Sequence, residues 1–290
     1  MILITGATGN FGKAVIDFLL DKGVDSQGIA ALVRDMGKAE NLRDQGINLR
    51  LGSYDDPTSL LQAFQGIDQL LLVSGSEVAT RLAQHNNVVK AAVASGVKHI
   101  VYTSFSRRDE TQRSPLWMVA QSHLQTEKWL QRSGIKHTIL KNNLYLDFIP
   151  AFAGADVLKT GTIYLPAGKG KVSAGLRREY AEATANLLVS QGHGNKTYDF
   201  TNAEAYDFDR VAAYISELSG KEIKYVSPSL DEYAHTMIAA GAPAEFVTIT
   251  GNFAVAQAQG ELDLVSKDLE KLLGRKPTPL KDFLATVYSS

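Results

Sequence analysis

A doubly wound α/β fold is the class that the sequence predicts, and three features of the chain indicate it. Over the first half, short β-branched or leucine-rich runs alternate with longer segments of helical period, which is typical of parallel strands joined by crossover helices. The links between these segments are short, and a chain of 290 residues can bury one large core or two modest ones. We therefore expect a parallel sheet with helices on both faces and a ligand crevice beyond the carboxyl ends of its strands.

The first half supplies the strands of this sheet. They are predicted at residues 1–5, 28–33, 48–51, 69–74, 99–103 and 137–141. The helix after the first strand carries apolar residues at one-face spacing from Phe11 to Leu19, and Gly23 follows as a C-terminal stop. The segment 82–96 repeats this plan before the strand that begins at His99.

A smaller lobe is expected after Asn143, where the alternation weakens and glycine and proline become frequent. Its predicted pieces are helices at 179–191 and 207–220, strands at 197–201 and 223–226, and helices to the end. We divide the chain into a first domain, residues 1–145, and a C-terminal α+β substrate lobe, residues 146–290, whose strands can return to the first sheet.

Composition argues against several classes of function. The 30 Lys and Arg balance 31 Asp and Glu, so no excess positive charge attracts nucleic acid or an anionic membrane. Without cysteine there are no disulfides or thiolate metal sites, and the six histidines lack metal-ligand spacing. No signal peptide is evident, and the apolar runs are far shorter than the roughly 20 residues that span a bilayer. We expect a cytoplasmic protein that binds no metal, membrane or nucleic acid.

The strongest functional signal is a glycine-rich run between the first strand and the first helix, here called the glycine loop. It consists of Gly6, Ala7, Thr8, Gly9, Asn10, Phe11 and Gly12. Glycine lets the backbone turn tightly and approach a pyrophosphate, whose charge is stabilised by the N–H groups and dipole of the helix N-terminus. The spacing is GxxGxxG rather than GxGxxG, and the alternative is a plain strand-to-helix loop. The strand before it and the amphipathic helix after it favour a Rossmann-type dinucleotide site.

The end of the second strand predicts which dinucleotide binds. An acidic residue there accepts a hydrogen bond from the ribose 2′-hydroxyl of NAD, whereas an arginine pairs with the 2′-phosphate of NADP. Arg34 therefore favours NADP(H), and Lys38 adds a second positive contact if a helical turn brings it back. The alternative is that Asp35 reads the ribose and both cations are solvated.

Five further segments carry a resemblance to a known family, together with the glycine loop. They are residues 32–35, 52–55, 74–76, 102–104 and 140–145. The chain resembles the NmrA-like branch of the atypical short-chain dehydrogenases, and within it the flavin-free NADPH-dependent quinone reductases and the triphenylmethane dye reductases. The resemblance covers nearly the whole chain and implies that NADPH is held by the glycine loop and by Arg34.

The resemblance also implies which residues line the nicotinamide side. The candidates are Ser74, Gly75, Ser104, Lys141 and Asn142 for the cofactor, with Asn143 and Tyr145 near the acceptor. The alternative for any one of them is a polar role in a loop or cap.

The Tyr-x-x-x-Lys pair of classical short-chain dehydrogenases is missing, because no tyrosine occurs between Tyr102 and Tyr145. The corresponding helix carries His123 and Glu127 one turn apart. We consider them as a proton donor and the carboxylate that orients it, as the resemblance also implies. The alternative is an ion pair on the helix surface.

The missing pair favours acceptors that need positioning more than acid catalysis, because hydride delivered to a quinone gives a resonance-stabilised anion. We expect an NADPH-dependent oxidoreductase that transfers hydride directly to a quinone or another electron-poor small molecule, including dyes, without flavin or metal. The main alternative is a non-catalytic NADP(H)-binding redox sensor, and an isoflavone-reductase-like enzyme that uses Lys128 is a third interpretation. A homodimer is the assembly that we consider.

Overall fold

The strands of the chain fall into two sheets. The structure is a computed structural model, and it describes residues 1–289. Its strands are β1 (Ile2–Ile4), β2 (Ile29–Val33), β3 (Asn48–Leu51), β4 (Gln69–Leu72), β5 (His99–Phe105), β6 (Lys136–Asn142), β7 (Thr162–Tyr164), β8 (Lys196–Phe200) and β9 (Lys224–Val226). Each of the six strands predicted for the first half is confirmed, with bounds that differ by at most two residues.

Helices connect the strands and form the rest of the second lobe. They are α1 (Asn10–Asp21), α2 (Glu40–Asp44), α3 (Pro57–Ala63), α4 (Val78–Ala94), α5 (Trp117–Arg132), α6 (Ile149–Ala153), α7 (Val157–Thr160), α8 (Arg177–Val189), α9 (Phe208–Ser219), α10 (Leu230–Ala239), α11 (Ala244–Ala258), α12 (Asp268–Leu273) and α13 (Leu280–Tyr288). Within residues 1–289, none of these helices is long and apolar enough to cross a membrane.

Local chemistry explains several of the helix ends. The carboxylate of Asp56 accepts hydrogen bonds from the first turn of α3, and Pro57 fits there because its missing N–H would have no partner in the helix. Ser229 and Glu232 form a capping box at the start of α10. Gly220 ends α9 with a φ of 68°, a left-handed conformation that glycine adopts without strain.

The larger sheet is parallel throughout, in the order β3-β2-β1-β4-β5-β6-β8. This arrangement confirms the predicted doubly wound α/β fold. The strand expected at 197–201 belongs to this sheet, because β8 pairs with β6 from Thr138 and Lys196 onward. A strand from beyond residue 145 therefore returns to the first sheet, whereas β7 and β9 pair separately in the second lobe. The domain boundary at residue 145 stays a prediction.

Alternate side chains of the strands build a core on each face of the larger sheet, because successive residues of a strand point to opposite sides. On one face, Ile4, Leu71 and Val101 pack with apolar residues of α1 and α8. On the other face, Leu3 and Ile100 pack with α3, α4 and α5. A third cluster fills the second lobe. Helices cover both faces, so the carboxyl edge of the sheet is left for a ligand.

Candidate functional site

A cavity of about 590 Å³ runs along the carboxyl edge of the larger sheet. Its lining comes from the loops that follow five strands, from the end of β2, from one residue of α4 and from the starts of α1 and α8. The lining residues are Gly6, Thr8, Gly9, Asn10, Phe11, Gly12, Leu32, Val33, Arg34, Gly52, Ser53, Tyr54, Asp55, Val73, Ser74, Gly75, Ser76, Glu77, Gln84, Tyr145, Phe148 and Arg177. The crevice that the sequence predicts for such a sheet is therefore present.

The glycine loop forms the wall of the cavity after β1. Gly6 has a φ of 58°, and the N–H of Gly9 donates to the carbonyl of Gly6 at 2.9 Å, which closes the turn. A Cβ on Gly12 would overlap the carbonyl oxygen of Gly6 and would lie 2.8 Å from its carbonyl carbon, so α1 starts against the loop only because residue 12 is glycine. Ala7 is the one loop residue outside the cavity lining of residues 1–289, because it is buried in the core beneath.

The start of α1 suits an anion. Gly9 precedes the helix without a side chain that caps it, and the first turn in the described chain contains no acidic residue. The first N–H groups of a helix have no partner within the helix, and they carry its positive dipole end. A phosphate group bound at this wall would satisfy them.

Arg34 lies where the ribose-reading residue was predicted, at the end of β2. Its side chain is 78% exposed, and its guanidinium is 3.9 Å from the carboxylate of Glu77. Asp35 instead accepts a hydrogen bond at 2.8 Å from the N–H of Gly37 and so stabilises its own turn. Lys38 is exposed and lies outside the cavity lining formed by residues 1–289. The structure therefore brings Arg34, rather than Asp35 or Lys38, to the cavity.

Tyr145, Phe148 and Arg177 line the far end of the cavity, beyond β6. Four strand spacings separate β2 from β6, or about 19 Å, so this end is remote from Arg34. The guanidinium of Arg177 lies 4.8 Å from the centre of the Tyr145 ring and 5.1 Å from that of Phe148. Burial raises the pKa of Tyr145, so its phenol keeps its proton at neutral pH.

The other candidates around β5 and β6 are placed beside the cavity rather than in its lining. Ser104 donates its hydroxyl hydrogen to Glu127, and the ammonium of Lys141 is 3.8 Å from Glu110. The buried side-chain amide of Asn142 has no hydrogen-bond partner among residues 1–289.

Asn143 is placed between the two lobes. It donates both amide hydrogens, to the hydroxyl of Ser173 at 3.2 Å and to the carbonyl of Leu262 at 3.1 Å. Its side-chain carbonyl accepts from the N–H of Leu144 at 2.7 Å. No amide hydrogen of Asn143 remains for a ligand, so this geometry favours a structural role.

His123 and Glu127 are both buried on α5, so the alternative of a surface ion pair is wrong. Nor do they bond each other within residues 1–289. The His123 ring contacts Tyr102 at 2.7 Å and Arg81 at 3.3 Å, whereas Glu127 forms an ion pair with Arg107 at 2.9 Å. The expected orientation of His123 by Glu127 is therefore wrong. Spacing on a helix predicts that two residues share a face. It cannot predict which side chains of β5 and of the loop after it form hydrogen bonds with them.

Burial and the nearby guanidinium of Arg81 hold the pKa of His123 well below its usual range. The imidazole is neutral at physiological pH. His123 also lies outside the cavity lining of the described chain, as does Glu127.

Several lining residues were not among the sequence-predicted site residues. Tyr54 and Asp55 follow β3. Residues that directly follow any parallel strand lie at the carboxyl edge of the sheet, and this position in the sequence would have identified them. The Tyr54 hydroxyl donates to the carbonyl of Val73 at 3.0 Å and so supports the neighbouring wall. Arg177 has no such signal, because it reaches the cavity from the start of α8, far along the chain from β6.

The fold and this cavity define a dinucleotide-binding protein of the Rossmann type. The model of the NmrA-like family matches residues 1–284, and the chain belongs to that family. The predicted resemblance is thereby confirmed.

Two relatives are similar over their whole length. Quinone oxidoreductase 2 of Escherichia coli (strain K12) is 38% identical over 100% of this chain and 99% of the relative. The crystal structure of the NADPH-dependent quinone oxidoreductase of Escherichia coli complexed with NADPH has a TM-score of 0.93, with 38% identity and 100% of both chains covered. The triphenylmethane reductase of Citrobacter sp. complexed with NADP(H) has a TM-score of 0.92, with 39% identity and 99% of both chains covered.

We predict that Gly12→Ala lowers both the stability of the fold and the affinity of the cavity for NADPH. The added methyl group must displace the backbone of Gly6, which costs about 1–3 kcal/mol of unfolding free energy. Denaturant unfolding and NADPH titration measure the two effects. The control is Gly28→Ala, where an added Cβ meets no atom of the described chain within 4 Å and φ is not left-handed. Equal stability of the two variants would contradict the close contact at Gly12.

Proposed function

We propose that this protein is an NADPH-dependent oxidoreductase that transfers hydride directly to a quinone or another electron-poor small molecule. The observation that carries the proposal is the layout of one cavity, with an anion-binding glycine loop in the middle, Arg34 at one end and Tyr145 with Arg177 at the other. The relatives named above support it, because their names describe quinone or triphenylmethane reduction with NADP(H).

The residues of the cavity fit NADP(H). The contact between Gly12 and Gly6 leaves the start of α1 open to a pyrophosphate, and the exposed guanidinium of Arg34 can pair with a 2′-phosphate through its planar fork. NADPH, when bound, supplies a hydride from its nicotinamide ring. We assign Asn142 to a contact with the nicotinamide side of the cofactor. Its buried amide has no protein partner in the described chain, so a ligand can satisfy it. Ser104 and Lys141 stay predicted contacts.

Tyr145 and Arg177 are the groups that we assign to the acceptor. Hydride delivered to a quinone leaves negative charge on an oxygen, which a hydrogen-bond donor and a cation stabilise. The protonated phenol of Tyr145 is such a donor, and the guanidinium of Arg177 lies over the face of its ring. We assign His123, Glu127 and Asn143 to the support of the site, since their hydrogen bonds go to protein groups. Cytoplasmic location, a homodimer and the absence of nucleic-acid partners stay predictions from the sequence.

The function itself is tested by NADPH oxidation with a panel of quinones and triarylmethane dyes, on purified protein without added flavin. We expect rates well above those without protein for at least one acceptor. Tight NADPH binding without turnover of any acceptor would contradict the proposal and favour the redox sensor.

Replacing Arg34 tests the cofactor preference. Arg34→Ala should raise the Kd for NADPH by about 10- to 100-fold, the effect of losing a charge-assisted contact, and should leave the Kd for NADH nearly unchanged. Fluorescence titration measures both values. Lys38→Ala is the matched control and should change the Kd for NADPH by less than about threefold, because Lys38 lies outside the lining. An Arg34→Ala variant that binds NADPH like the native protein would show that another residue reads the phosphate.

Replacing Tyr145 tests the acceptor end. Tyr145→Phe should lower kcat for a quinone about tenfold, the effect of losing one hydrogen bond to a charged group, and should leave the Kd for NADPH unchanged. A cationic triarylmethane dye is the control acceptor, because hydride addition to its carbocation creates no oxyanion. A loss of rate that is equal for both acceptors would contradict the role of the phenol.

A further inference from the structure

Gly75 lies in the loop that follows β4, and side chains of α4 form hydrogen bonds with both its N–H and its carbonyl. Its N–H donates to Nε2 of His85 at 3.2 Å, and its carbonyl accepts a hydrogen bond from Nε of Arg81 at 2.6 Å. Arg81 and His85 are one helical turn apart, so they share a face of α4. One helix face therefore fixes both backbone polar groups of a residue that lines the cavity.

The hydrogen bonds around His85 determine its tautomer. The hydroxyl of Thr126 donates to the carbonyl of Ser122 at 2.7 Å, so its oxygen must accept from Nδ1–H of His85 at 2.9 Å. Nε2 then carries no hydrogen and is free to accept from Gly75. Burial and the charge of Arg81 lower the pKa of His85 to about 3, so the acceptor form persists at neutral pH.

Arg81 extends this arrangement to α5. The side chain is buried, and its Nη1 lies 3.3 Å from Nε2 of His123. Because a guanidinium can only donate, Nε2 of His123 is the acceptor, and Nδ1–H of His123 donates to the hydroxyl of Tyr102 at 2.7 Å. A continuous chain of hydrogen bonds thus leads from β5 through His123 and Arg81 to Gly75.

The backbone N–H of Ser74, in the same loop, is also bonded by a side chain of the protein. The N–H of Ser74 donates to the hydroxyl of Thr103 at 2.8 Å. The side chains of α4 and β5 therefore fix the conformation of this loop where it lines the cavity.

We propose that Arg81 and His85 are positioning residues for the dinucleotide, which hold Gly75 in the conformation that the bound cofactor needs, and that His123 acts through Arg81 rather than on the acceptor. The inference rests on the proposed function, because it places the dinucleotide in this cavity. Ordering a loop upon binding costs affinity, so a loop that is already fixed binds more tightly than a free one.

Two polar replacements of His85 separate its two hydrogen bonds. In His85→Gln the side-chain carbonyl can occupy the place of Nε2 and accept from Gly75, whereas the shorter side chain of His85→Asn can reach only Thr126. We expect His85→Gln to bind NADPH within about threefold of the native protein and His85→Asn to bind about tenfold more weakly. Fluorescence titration measures the Kd, and hydrogen exchange of residues 74–77 without ligand should be faster in His85→Asn only.

The controls distinguish positioning from general destabilisation. His235→Leu replaces an exposed histidine of α10 and should leave both the Kd and the exchange unchanged. The native protein and His85→Gln should show the same dependence of the Kd for NADPH on pH between pH 5 and pH 8, because His85 is neutral throughout that range. Equal Kd values for folded His85→Gln and His85→Asn would overturn the proposal. A native protein that binds no NADPH would instead contradict the proposed function.

Discussion

The parallel pairing of seven strands is the constraint on which the site depends. Because all neighbours in the larger sheet run in the same direction, their carboxyl ends lie on one edge, and residues as distant in sequence as Gly6 and Arg177 line one cavity. The contact of Gly12 with the backbone of Gly6 adds a second constraint, since it lets α1 begin at that edge. Together they produce a long cavity with the glycine loop and the start of α1 in its middle.

Behind this edge, polar side chains bond to one another and to the backbone. Arg81, His85 and His123 are buried, and their hydrogen bonds are made with protein groups. A satisfied buried network is rigid, because each missing bond would leave a desolvated polar group. Charged and phenolic groups such as Arg34 and Tyr145 are left to face the cavity. Arg81, His85 and His123 thus support the loops from behind, whereas Arg34 and Tyr145 line the cavity.

Periodicity and glycine spacing predict the strands and the glycine loop, because these features depend on local backbone geometry. Tertiary packing decides the rest. His123 and Glu127 share a helix face, as their spacing indicates, but Tyr102 and Arg107 on and beside β5 bond them separately. Arg177 reaches the cavity from α8, and no local pattern marks a residue that a distant helix delivers. The return of β8 to the first sheet likewise depends on pairing with β6, which sequence spacing does not encode.

Transfer of deuterium from NADPH labelled at the nicotinamide C4 tests the central claim most directly. A cationic triarylmethane dye is the suitable acceptor, because the hydride enters a C–H bond that does not exchange with water. If the cavity aligns nicotinamide and acceptor for direct transfer, mass spectrometry will find the label from one face of the nicotinamide on the central carbon of the reduced dye. Reduced dye that carries hydrogen from the solvent, or label from both faces equally, would contradict direct transfer in this site.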